Sequence, residues 1–144
     1  MFIGEYHHSV DAKGRLAIPT KYREPLSAGA VVTRGLDRCL FVYPMDQWQE
    51  LAHRLAALPL SKSNTRSFAR FLLAGAMDVE LDKQGRIVIP EYLRSFGGIT
   101  KSVVLAGLYN RLEVWDAEHW QQYRASAEGG SSEVAETLGN ELGI

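Results

Sequence analysis

The apolar residues of this chain come in short runs broken by glycine, proline, aspartate or asparagine. Leu16-Ala17-Ile18, Val31-Val32, Leu40-Phe41-Val42-Tyr43, Ile87-Val88-Ile89 and Val103-Val104-Leu105-Ala106 are of strand length and rich in branched side chains. Runs of that kind between turn residues predict β-strands. Near the start, a strand leads into a tight turn at Gly14, where glycine permits the positive φ that such a turn uses. A second strand, Arg15 to Ile18, ends at Pro19. Proline, with a fixed φ and no N–H, suits the start of a short helical turn over 21–26. Two further strands follow near 30–34 and 39–43, joined by the hairpin-like Gly35-Leu36-Asp37-Arg38. The period then changes: Trp48, Leu51, Ala52 and Leu55 recur at helical spacing behind Asp46, a good N-cap.

The same series occurs twice. Asp11-Ala12-Lys13-Gly14-Arg15-Leu16-Ala17-Ile18-Pro19 is echoed by Asp82-Lys83-Gln84-Gly85-Arg86-Ile87-Val88-Ile89-Pro90 at an offset of 71. Arg23 then aligns with Arg94, and upstream Gly4 aligns with Gly75. After one inserted residue the match resumes at an offset of 72, pairing Val31-Val32 with Val103-Val104, Leu40 with Leu112, Val42 with Val114 and Trp48 with Trp120. The second copy therefore predicts a helical turn over 92–96, strands near 102–106 and 111–115 joined by Gly107-Leu108-Tyr109-Asn110, and a helix capped by Asp116. Two blocks in one order at nearly constant offset predict a duplicated unit of about 45 residues, over 2–48 and 75–120. A unit that small buries little by itself. The copies are expected to interlock around one core with pseudo-two-fold symmetry.

The implied organisation is a first repeat over 1–50, a helical linker over 51–74, a second repeat over 75–125 and an acidic tail over 126–144. In the linker, Pro59 ends one helix and Asn64 caps the next, whose Phe68, Phe71 and Leu72 give it an apolar side to pack on the body. The tail is rich in Glu, Gly and Ser, holds no aromatic residue and is expected to be mobile. Val134, Leu138 and Leu142 fall at helical spacing, but Gly130 and Gly139 weigh against a helix there.

With 46% hydrophobic and 23% charged residues in 144, the composition is that of an ordinary folded soluble protein. It excludes collagen, wholesale disorder and a disulfide-built mini-protein. The single cysteine, Cys39, cannot form an internal disulfide, which points to a reducing compartment. No apolar run approaches the roughly 20 residues needed to span a bilayer, and the first residues lack a basic-then-apolar leader. A cytoplasmic protein with no membrane partner is expected. The net charge of −1 hides an asymmetry: residues 113–144 carry seven acids and one base, Arg124, so the body before them is net basic. That permits a polyanionic partner without requiring one.

Candidate chemistry is sparse. His7 and His8 are adjacent and on a strand would face opposite sides. One cysteine cannot build a structural zinc site. Neither a nucleophile elbow, a P-loop nor a dinucleotide fingerprint is present. The two Asp-x-x-x-Arg pairs, Asp11/Arg15 and Asp82/Arg86, hold a carboxylate beside a guanidinium, which favours its charged form and is wrong for a general acid. No catalytic residue, metal or cofactor is expected. Across a tight turn beside Gly14 or Gly85, the aspartate can accept from turn N–H groups or hold the arginine fork. Whether Asp11 and Asp82 also touch a ligand stays open. Arg15 and Arg86, each presented beside a turn and joined by Lys13, Lys83 and Arg23, suit bidentate guanine and phosphate contacts. Two symmetric arginine loops match a duplex better than a small ligand.

Together, Gly4-Glu5-Tyr6, the two Asp-to-Pro blocks, and Trp48 and Trp120 resemble the MraZ family over about residues 1–125. The resemblance implies two AbrB-like swapped-hairpin repeats: a mainly β fold with short helices (α+β), closed as a pseudo-two-fold barrel with a helical linker. It implies a ring-shaped homo-oligomer that binds double-stranded DNA at short direct repeats in a promoter. The expected role is repression of the division and cell-wall gene cluster that encodes the regulator, in association with the nucleoid. The family's motif positions carry over as Asp11, Arg15, Asp82 and Arg86, while Lys13 and Arg23 extend them from this sequence. Strict symmetry fails where Lys13 becomes Gln84 and Lys21 becomes Tyr92, so the first loop is expected to contribute more. The acidic tail is expected to lie away from the DNA. The alternative is an AbrB-like interaction module or antitoxin that recognises no operator.

Overall fold

The computed structural model describes residues 1–143. The first copy forms β1 (Phe2–Ser9), β2 (Arg15–Ala17), α1 (Thr20–Arg23), β3 (Ala30–Arg34), β4 (Leu40–Pro44) and α2 (Met45–Ala56). The helix α3 (Ser63–Ala69) and a π-helical turn (Arg70–Ala74) follow. The second copy repeats the order as β5 (Met77–Val79), β6 (Arg86–Val88), α4 (Glu91–Phe96), β7 (Ser102–Tyr109), β8 (Leu112–Asp116) and α5 (Ala117–Leu142). It is a mixed α+β fold with antiparallel sheets, in which the apolar runs beginning at Leu16, Val31, Leu40, Ile87 and Val103 supply β2, β3, β4, β6 and β7, while Phe71-Leu72-Leu73-Ala74 lies in the π-helical turn.

Pairing crosses between the copies. Six strands form one sheet in the order β1-β7-β8-β4-β3-β5, and β2 and β6 form a separate two-stranded ribbon. Each copy's first strand lies on the other copy's third: β1 runs along β7, and β5 along β3. At the centre, β4 meets β8 with Leu40 opposite Val114 and Val42 opposite Leu112. In the ribbon, Arg15 lies opposite Val88 and Ala17 opposite Arg86. Both registers are self-complementary under the repeat offset, so one pseudo-two-fold axis passes beside Phe41/Glu113 and beside Leu16/Ile87. The sheet ends at β1 and β5, and the ribbon is tied to it by a bridge between Val10 and Leu16, so the strand pairings do not show the closed barrel that was expected.

Strand alternation sorts side chains into two cores. Leu40, Val42, Leu112 and Val114 point to one sheet face, where Leu16, Ile18, Ile87, Ile89, Tyr22 and Leu93 of the ribbon and the short helices cover them. Phe41, Tyr43 and Trp115 point to the other face and pack against Trp48, Leu51 and Leu55 of α2, Leu72 of the π-helical turn and Trp120 of α5. The molecule is thus layered as ribbon, sheet and helices. Thr33 and Arg34 staple the third layer down, donating to the carbonyls of Leu72 at 2.6 Å and Phe71 at 2.9 Å. Cys39 is fully buried beside this core, and burial pushes its thiol pKa up.

Several boundaries differ from the expectation. Asp116 caps α5, accepting from the His119 N–H at 3.1 Å, whereas α2 starts one residue before Asp46, behind Pro44. Asn64 lies inside α3, which begins at Ser63. Strand β7 continues through Gly107 and Leu108 to Tyr109, because Gly107 lies against the backbone of Ile3 with no room for a Cβ. The largest difference concerns the tail: residues 117–142 form one helix, where Gly130 and Gly139 weighed against one. Glycine lowers helix stability by about 1 kcal/mol but leaves the N–H in place, whereas proline removes it. No proline falls between Asp116 and Leu142. Arg124 also links the tail to the body and to itself, pairing with Glu5 at 3.2 Å and with Glu128 at 2.9 Å.

Candidate nucleic-acid interface

The two Asp-x-x-Gly-Arg turns fold alike. In the first, Asp11 Oδ1 accepts from the N–H groups of Lys13 at 3.0 Å and Arg15 at 2.9 Å. Its other oxygen, Oδ2, takes the Arg15 Nε at 2.6 Å. In the second, Asp82 Oδ1 accepts from Gln84 at 2.8 Å and Arg86 at 2.9 Å, and Oδ2 takes Arg86 Nε at 2.9 Å. The backbone closes each loop: Gly14 N–H donates to the Asp11 carbonyl and Gly85 N–H to that of Asp82. Both glycines have positive φ, 82° and 75°. Each aspartate is therefore a turn former and an arginine holder at once. The Arg15 and Arg86 N–H bonds, with the guanidinium of the same residue, hold the Asp11 and Asp82 carboxyls below the usual carboxylate range.

The turns also lock onto the opposite copy. Ile18 N–H donates to the Gly85 carbonyl at 2.9 Å, and Ile89 N–H to that of Gly14 at 2.8 Å. Arg23 donates from Nε to the Ile18 carbonyl at 2.9 Å and lies across Gly85. Arg94 repeats this on the Ile89 carbonyl at 3.0 Å and lies across Gly14. Arg23, expected beside Arg15 as a DNA contact, has its Nε on the Ile18 carbonyl of its own copy and its side chain across Gly85 of the other. Lys21 rests over the rings of Tyr6 and Tyr22, 5.1 Å from each centroid, and its hydrogen bond pulls the Tyr6 phenol pKa down.

The ribbon decides where the arginines point. Leu16 and Ile87 are fully buried on its inner side. Alternation then sends Arg15, Ala17, Arg86 and Val88 to the outer side. Arg15 and Arg86 are diagonal neighbours on that side, with backbones about 7–8 Å apart. Their side chains are 34% and 28% exposed, and among the described residues each bonds only through Nε. The terminal nitrogens of both forks stay open to a ligand. Lys13 and Lys83 are exposed at the two turn tips. The face is cationic and two strands wide.

The MraZ family model, described as "MraZ protein, putative antitoxin-like", matches residues 1–71 and again 72–141. The chain is 49% identical over 144 residues to the "Transcriptional regulator MraZ" of Halothermothrix orenii, covering all of both chains. It is 48% identical over 138 residues to the protein of that name from Natranaerobius thermophilus, covering 96% of each. The chain belongs to the MraZ family of transcriptional regulators. It is a family of regulators and not of enzymes. Each match is longer than the duplicated segment of about 45 residues, the first taking in α2 and α3 and the second most of α5. Sequence reasoning passed over two neighbours of the site, the locking role of Arg94 and the exposure of Val88. The offset of Arg23 to Arg94 and the alternation around Ile87 and Ile89 were the signals for them.

Proposed function

We propose that this protein is a sequence-specific DNA-binding repressor that reads duplex DNA with the outer side of the β2–β6 ribbon. The observation carrying this reading is the common side shared by Arg15 and Arg86, each held at Nε by its own aspartate. A two-stranded ribbon fits the major groove, and a pre-oriented guanidinium is the donor pair that guanine O6 and N7 accept. Lys13 and Lys83 at the turn tips face the flanking phosphates. Asp11 and Asp82, with Gly14 and Gly85, hold the readers, and Arg23 supports the second turn while its remaining nitrogens face the ribbon's surroundings. The acidic helix α5 starts on the sheet face opposite the ribbon, through Trp120, which keeps its repulsion from the DNA.

The operator is a set of short direct repeats upstream of the protein's own division and cell-wall gene cluster, in the nucleoid, and the protein engages it as a ring-shaped homo-oligomer. Repeated protomers on repeated sites gain by avidity. Leu60, 77% exposed, with Leu36 and Phe68 on the helical side, supports contacts between copies. A stable monomer by light scattering would remove the ring.

The deciding experiment selects bound sequences from random DNA with the full chain, then compares Arg15→Ala and Arg86→Ala. Each substitution is expected to weaken operator binding by roughly 5- to 150-fold, the worth of a bidentate base contact, and to relax sequence preference. Unchanged affinity in both, with one stoichiometric protein partner recovered in a pull-down, would favour an interaction module or antitoxin instead.

A further inference from the structure

The outer side of the ribbon carries one residue that neither the turns nor the arginines explain. Val88 is 51% exposed, directly opposite Arg15 and two residues from Arg86 on the same side. It takes no part in the buried core, where Leu16 and Ile87 supply the ribbon's inner packing. Its counterpart opposite Arg86 is Ala17. Two guanidinium groups are thus each accompanied by an apolar side chain, a large one beside Arg15 and a small one beside Arg86. In the major groove the C5-methyl of thymine is the apolar feature that distinguishes one base from the others. Facing residues in a ribbon lie about 5 Å apart, against a rise of about 3.4 Å per base along one strand. A side chain facing Arg15 therefore meets a base one or two steps from the one that Arg15 reads.

We infer that Val88 is a specificity-determining residue that packs on the C5-methyl of a thymine adjacent to the guanine read by Arg15. Ala17 makes the shorter, weaker equivalent beside Arg86, so the two halves of one protomer's site are not equivalent. The inference rests on the ribbon entering the major groove, as proposed above, and adds the base that the arginines do not read.

The test uses the full chain and its selected operator. Each thymine is replaced in turn by deoxyuridine, which removes only the methyl group, and affinity is measured at fixed salt. One position is expected to lose about fourfold, the worth of one buried methyl-sized group. Val88→Ala is expected to abolish the uracil effect there while leaving the salt slope and the thermal midpoint unchanged. Binding that depends on Arg15 but is indifferent to uracil everywhere, or a uracil effect that persists undiminished at every position in Val88→Ala, overturns the inference and leaves the DNA reading standing. A chain that binds no DNA, or whose binding ignores Arg15→Ala, overturns both.

Discussion

The two turns at Asp11–Arg15 and Asp82–Arg86 are nearly superposable in their bonds, yet their surroundings differ at almost every exposed position. The carboxylate accepts the same two N–H groups and the same Nε in both. Around that constant frame, Lys13 stands against Gln84, Ala12 against Lys83, and Ala17 against Val88. The frame is constrained because one carboxylate must satisfy the loop and aim the arginine together. The rim meets only solvent or a partner, so each copy can be tuned separately.

The largest expected effect sharpens the one asymmetry inside the frame. A Cβ at Gly14 would meet the Ile89 carbonyl at 2.6 Å, a backbone atom that cannot move alone. At Gly85 the nearest atoms are those of the Arg23 side chain, which would have to leave the Ile18 carbonyl to make room. Both substitutions carry the cost of positive φ, about 1–2 kcal/mol, and overpacking against backbone adds about 1–3 kcal/mol. Gly14→Ala is therefore expected to lower the urea midpoint more than Gly85→Ala. Equal losses would mean that Arg23 is as rigid as backbone.

Acid should act on the two turns alike. The folded-state pKa values of Asp11 and Asp82 are depressed, so their contribution is fully present above the unfolded value of about 3.9 and is lost as pH falls through the lower folded one. Denaturation followed from pH 6 to pH 2 is expected to show the stability gap between the native chain and Asp11→Asn closing below about pH 4. The gap for Asp82→Asn should close in the same window, and a pH-independent gap would argue against the bonds as drawn.

The smallest effect concerns the rims. Lys13→Ala and Lys83→Ala are each expected to reduce the salt slope of binding by about one, uniformly across DNA sequences. A change of sequence preference on removing either lysine would move it from phosphate to base.

Helix α5 shows the same tension between local signal and context. Its counterpart α2 stops before Pro59, while α5 has serine at the matching position and runs on through Gly129 and Gly130. Counting glycines exaggerated a modest propensity cost and missed the ion pairs of Arg124, one of which spans 119 residues of sequence. Strand positions, the turn at each Asp-x-x-Gly-Arg and the repeat itself were legible because alternation, φ restriction and self-similarity act within a few residues.

Sequence alone thus determined that two like units exist, that each presents an arginine beside a glycine turn, and to which family they belong. Which copy each strand would pair with depended on burying Leu16 against Ile87 and Val42 against Leu112, contacts between residues about 70 apart. Only the folded ribbon put Arg15, Arg86 and Val88 on one side, and only the fold laid Arg23 and Arg94 across the opposite glycines. Those outcomes are non-local: no residue's own preferences specify its partner, and the shared core selects the pairing that leaves the fewest apolar groups in water.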